Sequence, residues 1–138
     1  MPRITMNITD RIRDSIRKHA DLVFRTTEFL ALGSETSVNR ALKELCGIGV
    51  LVRLGVGVYA KAKLSAISGK PIPVQPLEVL GPQALAKFGV RLQESLQTSK
   101  YNSGLSNQVP VGVVVNVGRQ RVSRKIGFNG KFLKYERT

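Results

Sequence analysis

From Thr9 to Lys63 the sequence carries one ordered series of element signals, each joint occupied by the residue type its geometry needs. Ile8, Ile12 and Ile16 stand four apart, with Arg11, Arg13, Arg17 and Lys18 on the remaining surface. That spacing predicts a helix over Thr9–Ala20, capped by Thr9 or Asp10. Val23 and Phe24 read as a short extended piece, after which Thr26 caps a short helix, TEFLAL, with Phe29, Leu30 and Leu32 turned inward. Gly33 ends that helix, as a left-handed C-terminal position favours. Ser34 caps the next one, in which Val38, Ala41, Leu42 and Leu45 fall at i, i+3, i+4 and i+7 and make a single apolar stripe. Its outward positions are Thr36, Ser37, Asn39, Arg40, Lys43 and Glu44. Leu51–Leu54 and Val58–Lys61 are strand-like, and Gly55 and Gly57 permit a tight turn between them. Helix, short strand, helix, tight turn, helix, hairpin is the order of a winged helix-turn-helix, and residues 1–63 are expected to form one.

The remainder reads as a second, smaller unit. Residues 64–76 contain Pro71, Pro73 and Pro76 and are expected to be an extended linker, because each proline disfavours helix in the residue before it. Leu77–Phe88 is expected to be helical, restarted at Pro82, and Val90–Gln93 to be a short strand. The polar stretch from Gln97 to Gln108 is ambiguous. Val109–Val117 is dense in β-branched residues, and Val122–Phe128 and Lys131–Tyr135 flank Asn129-Gly130, the strongest two-residue hairpin signal. The fold class expected is therefore α+β: a winged helix-turn-helix over 1–63, a linker over 64–76, and a small α+β unit over 77–138 ending in a basic antiparallel sheet.

Charge narrows the function. The 138 residues carry 22 Lys and Arg against 9 Asp and Glu, a net charge of +13. A strongly basic balance is the electrostatic footprint of a nucleic-acid binder. The excess is uneven, with nine basic and six acidic side chains in residues 1–60 and thirteen against three in residues 61–138. On that count the first part selects a site and the second supplies much of the affinity. The single cysteine, Cys46, leaves no internal disulfide and no Cys-based zinc site, which points to the reducing cytoplasm. No apolar run approaches the roughly 20 residues of a membrane span, and the first residues lack the apolar core of a signal peptide. With one His, one Cys, no paired carboxylates in a short segment and no GKS or GKT after the glycines, neither an enzyme nor a cofactor or metal is expected.

The candidate contacts follow from groove geometry. An α-helix fits the major groove, and side chains near its N-terminus reach base edges. Ser34 at the start of this helix, and Thr36, Ser37, Asn39, Arg40 and Lys43 on one exposed side, are its candidate DNA contacts. Asn pairs with adenine, Arg with guanine, and Lys holds phosphate. The hairpin adds Arg53 and Lys61, with Lys63 just beyond, and the C-terminal run adds Arg119, Arg121, Arg124 and Lys125 as a second anion surface. Arg124 falls among Val122, Ile126 and Phe128 and interrupts an otherwise apolar strand face.

The segment Val23–Lys63 resembles the winged-helix part of AbiEi-type antitoxins of type IV toxin–antitoxin systems. The residues that carry this are Phe24, Leu32-Gly33-Ser34, Ala41-Leu42 with Leu45, and Gly55, Gly57 and Tyr59. ALAKFGVRLQ and GLSNQVPVGVVV, with the Gln108-Val109-Pro110 step, resemble the same family's unit after the linker. The tip NVGRQRVS departs from it in being more basic than the turn expected there. The resemblance implies a regulator that binds double-stranded DNA at an inverted-repeat operator and represses its own operon. It also implies a nucleotidyltransferase-type toxin, countered without a stable complex. A second class of function is an interaction protein from a phage or mobile element that blocks a nucleic-acid-handling partner through the basic C-terminal surface. A third is a nonspecific nucleic-acid binder, which would show steep salt dependence and little operator preference.

Overall fold

The computed structural model describes residues 7–93 and 113–138. The chain is α+β and divides into two compact units, Met1–Val74 and Gln75–Thr138. In the first unit, α1 spans Ile8–Lys18, β1 Val23–Arg25, a 3₁₀ segment Thr26–Leu32, α2 Glu35–Gly47, β2 Leu51–Gly55, β3 Val58–Leu64 and β4 Pro71–Pro73. β3 is central, antiparallel to β1, to β2 and to β4. Helix, strand, 3₁₀ turn, helix and hairpin, with the first strand closing on the hairpin, make the winged helix-turn-helix.

The joints differ in detail from the sequence expectation, each for a physical reason. α1 is capped by Asn7, whose side chain accepts the Asp10 N–H at 2.8 Å while the Asp10 carboxylate faces the Asn7 N–H. Thr9 is buried instead and donates its hydroxyl to Glu44 across to α2 at 3.0 Å. The segment after β1 is not an α-helix capped by Thr26; its first turn is closed by the Glu28 carboxylate, which accepts the Arg25 N–H. With three residues per turn, a 3₁₀ helix aligns Phe29 with Leu32 and rotates Leu30 outward. Phe29 is accordingly buried, Leu32 packs against the core, and Leu30 is exposed. Gly33 is not left-handed, having a φ of 174°, which is extended backbone. What it supplies is space, because a Cβ there would collide with Ile8 Cδ1 of α1.

Ile12 and Ile16 of α1, Phe24, Phe29, the α2 stripe Val38, Ala41, Leu42 and Leu45, and Leu51 and Tyr59 of the sheet form the core of this unit. The other sheet face carries Val23, Val52, Val58 and Ala60, also buried. Burial on both faces explains why these strands read as nearly continuous apolar runs.

The expected linker 64–76 is in part a strand. The Lys61 N–H donates to the Leu22 carbonyl and its carbonyl accepts the Val74 N–H, so β1 and β4 follow one another along the same edge of β3. Bonds at Lys61–Val74 and Ser65–Lys70 fix the alternation. They put the nitrogens of Pro71 and Pro73 at positions that need no N–H toward β3, the one arrangement in which an edge strand accepts prolines. The domain boundary therefore moves from Lys63 to Val74.

In the second unit, α3 spans Leu77–Lys87, β5 Val113–Asn116, β6 Gly127–Phe128 and β7 Lys131–Glu136. α3 is one helix with Pro82 inside it rather than a helix restarted there. Leu77, Leu80, Gly81, Ala84 and Leu85 form its buried stripe, which packs on a sheet contributing Val113, Val115 and Leu133, with Ile126 buried just before β6. The sheet order is β5-β7-β6, and β5 runs parallel to β7. It is therefore mixed, not purely antiparallel: the chain between β5 and β6 acts as a crossover, as a parallel pair requires. Asn129 and Gly130 both have positive φ, 55° and 84°, as a type I′ hairpin turn requires. The strand expected over Val122–Phe128 is only Gly127–Phe128, and that over Val90–Gln93 reduces to one bridge, Gln93 to Asn116. The segments 97–108 and 109–112 lie outside the described residues. No helix among the described residues is long and apolar enough to cross a membrane.

Candidate nucleic-acid interface

α2 begins with a side-chain cap: Ser34 Oγ accepts the Ser37 N–H at 3.2 Å and donates to the Ser37 hydroxyl at 2.9 Å. These two serines build the start of the helix. What the helix offers to solvent is the arc opposite its buried stripe, namely Thr36, Asn39, Arg40 and Lys43, all exposed. Glu44, expected on that side, faces α1 through Thr9, so its carboxylate is held toward α1. Glu35 remains in the first turn, where a carboxylate suits the positive end of the helix dipole.

The hairpin reaches solvent through a two-residue turn, Val56-Gly57, in which Gly57 has a φ of 70°. The wing is short, and its turn is tied back by the Thr26 N–H, which donates to the Gly57 carbonyl at 3.0 Å. The strand register shifts between Arg53 and Gly55, and Arg53, exposed, donates its Nε to the Gly55 carbonyl at 3.1 Å. Arg53 shares its strand face with Leu51 and stands opposite Tyr59, both of which pack in the core with α2, so Arg53 lies on the side of the sheet that α2 covers. Burial pushes the Cys46 thiol and the Tyr59 hydroxyl up from their ordinary pKa values, and the Arg53 charge acts on both in the opposite sense.

Lys61 and Lys63 are placed elsewhere. Lys61 Nζ donates to the His19 carbonyl at 2.6 Å, at the C-terminus of α1, and lies 5.9 Å from the Phe24 ring centre. A cation among the last carbonyls of a helix satisfies them and suits the dipole, so Lys61 closes α1. Lys63 is exposed but lies five residues beyond Val58, about 17 Å of strand from the turn.

In the second unit, Arg119 and Arg121 are exposed on the coil after β5. The Arg124 guanidinium lies 3.7 Å from the Phe88 ring centre, and Lys125 Nζ lies 4.5 Å from that of Phe132. This accounts for the arginine that interrupted an apolar pattern: residues 122–126 are not a strand, and Arg124 spreads over an aromatic face while remaining exposed. The Tyr135 hydroxyl holds this coil by donating to the Arg124 carbonyl at 2.5 Å. Lys131 pairs with Glu78 at 2.8 Å and holds that carboxyl below its ordinary pKa.

A family model matches residues 7–138. The chain belongs to DUF6088, a family of unknown function. The match spans both units, and its description gives no activity. No curated protein matches the chain.

Two surface features of this DUF6088 chain escape the sequence reading. Lys63 and Lys70 flank one β3–β4 turn, because Gly69 with a φ of 71° and the bonds from Ser65 turn the chain back on itself. The signal was the Ser-Gly dipeptide, masked by the prolines after it. The second is the ion pairing on the outer face of α1: Arg17 and Lys18 lie on the surface as expected, and Asp14 is paired with them at 2.7 Å and 3.0 Å, which holds its carboxyl below the ordinary value.

Proposed function

We propose that this protein is a sequence-reading DNA-binding regulator. The observation that carries the reading is the exposed arc Thr36, Asn39, Arg40 and Lys43 on α2, beside Arg53 of the hairpin and within a winged helix-turn-helix frame. The net charge of +13 supports it. On this reading Asn39, Arg40 and Thr36 contact base edges in the major groove, and Lys43 and Arg53 hold flanking phosphates. Arg119 and Arg121 supply further phosphate contacts. Ser34 and Ser37 position the helix, and Lys61 secures α1.

The resemblance to AbiEi-type antitoxins makes the chain's own upstream region the DNA to test first, and an inverted repeat the form of site. Repression of its own operon, action against a nucleotidyltransferase-type toxin and a cytoplasmic location belong to the same proposal.

The test is footprinting and mobility shift on that upstream DNA at physiological salt. Arg40→Ala is expected to weaken specific binding by about 1–3 kcal/mol and to relax preference at one base position. Because Arg40 is exposed, its thermal stability should stay within about 0.5 kcal/mol of the parent. Unchanged affinity and selectivity in that variant would remove α2 as the reading element.

A further inference from the structure

An open groove of about 840 Å³ runs beside α1 in the first unit, on its Asp10–Arg17 side. Val50 and Ala62 contribute to its apolar lining, and Ile48, 58% exposed, stands at its edge. Leu64, 65% exposed, borders the same place, lying 3.6 Å from where a Cβ on Gly49 would begin. The α1 wall presents Asp10, Arg13, Asp14 and Arg17. These fall at i, i+3, i+4 and i+7 and therefore share one helical face. Their signs alternate along the chain: minus, plus, minus, plus.

This wall suits neither DNA nor a small anion. Two of its four charges are carboxylates, Arg17 is bonded to Asp14 at 2.7 Å, and Lys61, the cation the groove has outside α1, is bonded to the His19 carbonyl. The same pattern is self-complementary under two-fold symmetry. If a second α1 lies antiparallel with the axis midway between residues 13 and 14, each Asp10 faces Arg17 of the other copy. Each Arg13 then faces Asp14 of the other copy. Every pair occurs twice and every pair is opposite in sign, as an isologous contact demands.

We propose that this groove and the outer face of α1 bind a second copy of the chain, with the two α1 helices antiparallel and Ile48 covered at the contact. The surface lies away from the arc of α2 assigned above to DNA, since α1 packs on the opposite side of α2. The proposal does not depend on the DNA reading.

The test is sedimentation equilibrium on the full chain without DNA. The parent should form a dimer whose dissociation constant rises as salt increases, because exposed charge pairs are screened. Ile48→Arg should weaken the dimer at least about tenfold, which corresponds to about 1.4 kcal/mol. Arg13→Asp and Asp14→Arg should each weaken it, since each creates like-charge pairs twice. The double variant, R13D with D14R, should recover most of the loss. Melting curves accompany each variant, and if either charge variant fails to fold, Ile48→Arg decides the matter alone. A parent that stays monomeric at about 100 µM, near the weak end of specific association, overturns the proposal. So does an Ile48→Arg protein that dimerises as tightly as the parent, or a folded double variant no better than the single ones.

Discussion

An alanine methyl at Gly127 would fall inside contact distance of the Lys131 carbonyl oxygen and 2.7 Å from Phe132 Cα, both backbone atoms of the facing strand. Neither can move without opening the β6–β7 pair. At Gly33 the obstacle is the Cδ1 tip of Ile8, with Cγ1 already 3.6 Å away, so a change of side-chain torsion relieves it. Gly127→Ala is therefore expected to destabilise the protein by about 2–4 kcal/mol, and Gly33→Ala by less than about 1.5 kcal/mol. Urea denaturation of the two variants checks the order; equal costs would mean that the Gly127 crowding is not real. The sequence could not separate these glycines. Gly33 follows a helical segment and so reads as a left-handed cap, whereas its reason for being glycine lies 25 residues upstream in Ile8. Thr9, which by local rule reads as a cap, and Glu44, which reads as outward, mislead in the same way, each being held by the other across two helices. Local signals did place the caps and turns made by near neighbours, Ser34 on α2 and Asn129-Gly130 in the hairpin.

Elements whose partners are adjacent in sequence were legible, and those that depend on a distant edge were not. The α2 stripe and the β2–β3 hairpin follow from period and glycine placement alone. β4 did not, because three prolines in six residues argue for an extended linker unless the position of each missing N–H is known. The register supplies that: Val74 donates to Lys61 at 3.0 Å, while Pro73 sits where a donor is not needed. Val74→Pro should thus remove a ladder bond and cost about 1–3 kcal/mol. Pro73→Ala should cost no more than about 1 kcal/mol, through the entropy of the unfolded chain. Thermal melts of both variants test the strand directly, and similar small shifts would return 71–74 to the status of linker. The mixed second sheet escaped for a related reason. A hairpin signal identifies β6 with β7 but says nothing of which strand takes the free edge of β7, and here β5 arrives parallel after a crossover.

At the scale of the whole molecule, the position of β4 changes what the charge means. Divided at residue 60, the excess looks like +3 against +10; divided at Val74, the first unit has twelve basic and six acidic residues, and the second has ten and three. The two units then carry +6 and +7, because Lys61, Lys63 and Lys70 belong to β3 and the turn after it. A scheme in which the first unit selects and the second supplies most of the field loses its basis in net charge. What distinguishes them is the kind of group displayed. α2 offers Asn39 and Arg40, which can pair with base edges, whereas the second unit displays Arg119 and Arg121 on coil and Lys134 on a strand. On the proposed reading the second unit's cations are assigned to phosphate, contacts that position a protein without carrying sequence. Removing one phosphate-neutralising cation lowers the slope of log K against log salt by about 0.9 on duplex DNA. The triple variant R119S, R121S and K134S should then reduce the slope by up to about 2.7 while leaving the ratio of operator to random-sequence affinity within about threefold. Arg40→Ala should do the reverse, lowering the ratio and moving the slope by about one or less. Titrations over a range of salt, on operator and on scrambled DNA, measure both quantities for both variants. If the triple variant keeps the parent's slope, the second unit's basic surface does not lie on DNA. Its charge then has to be explained by the other reading of that surface, a contact that blocks a nucleic-acid-handling partner.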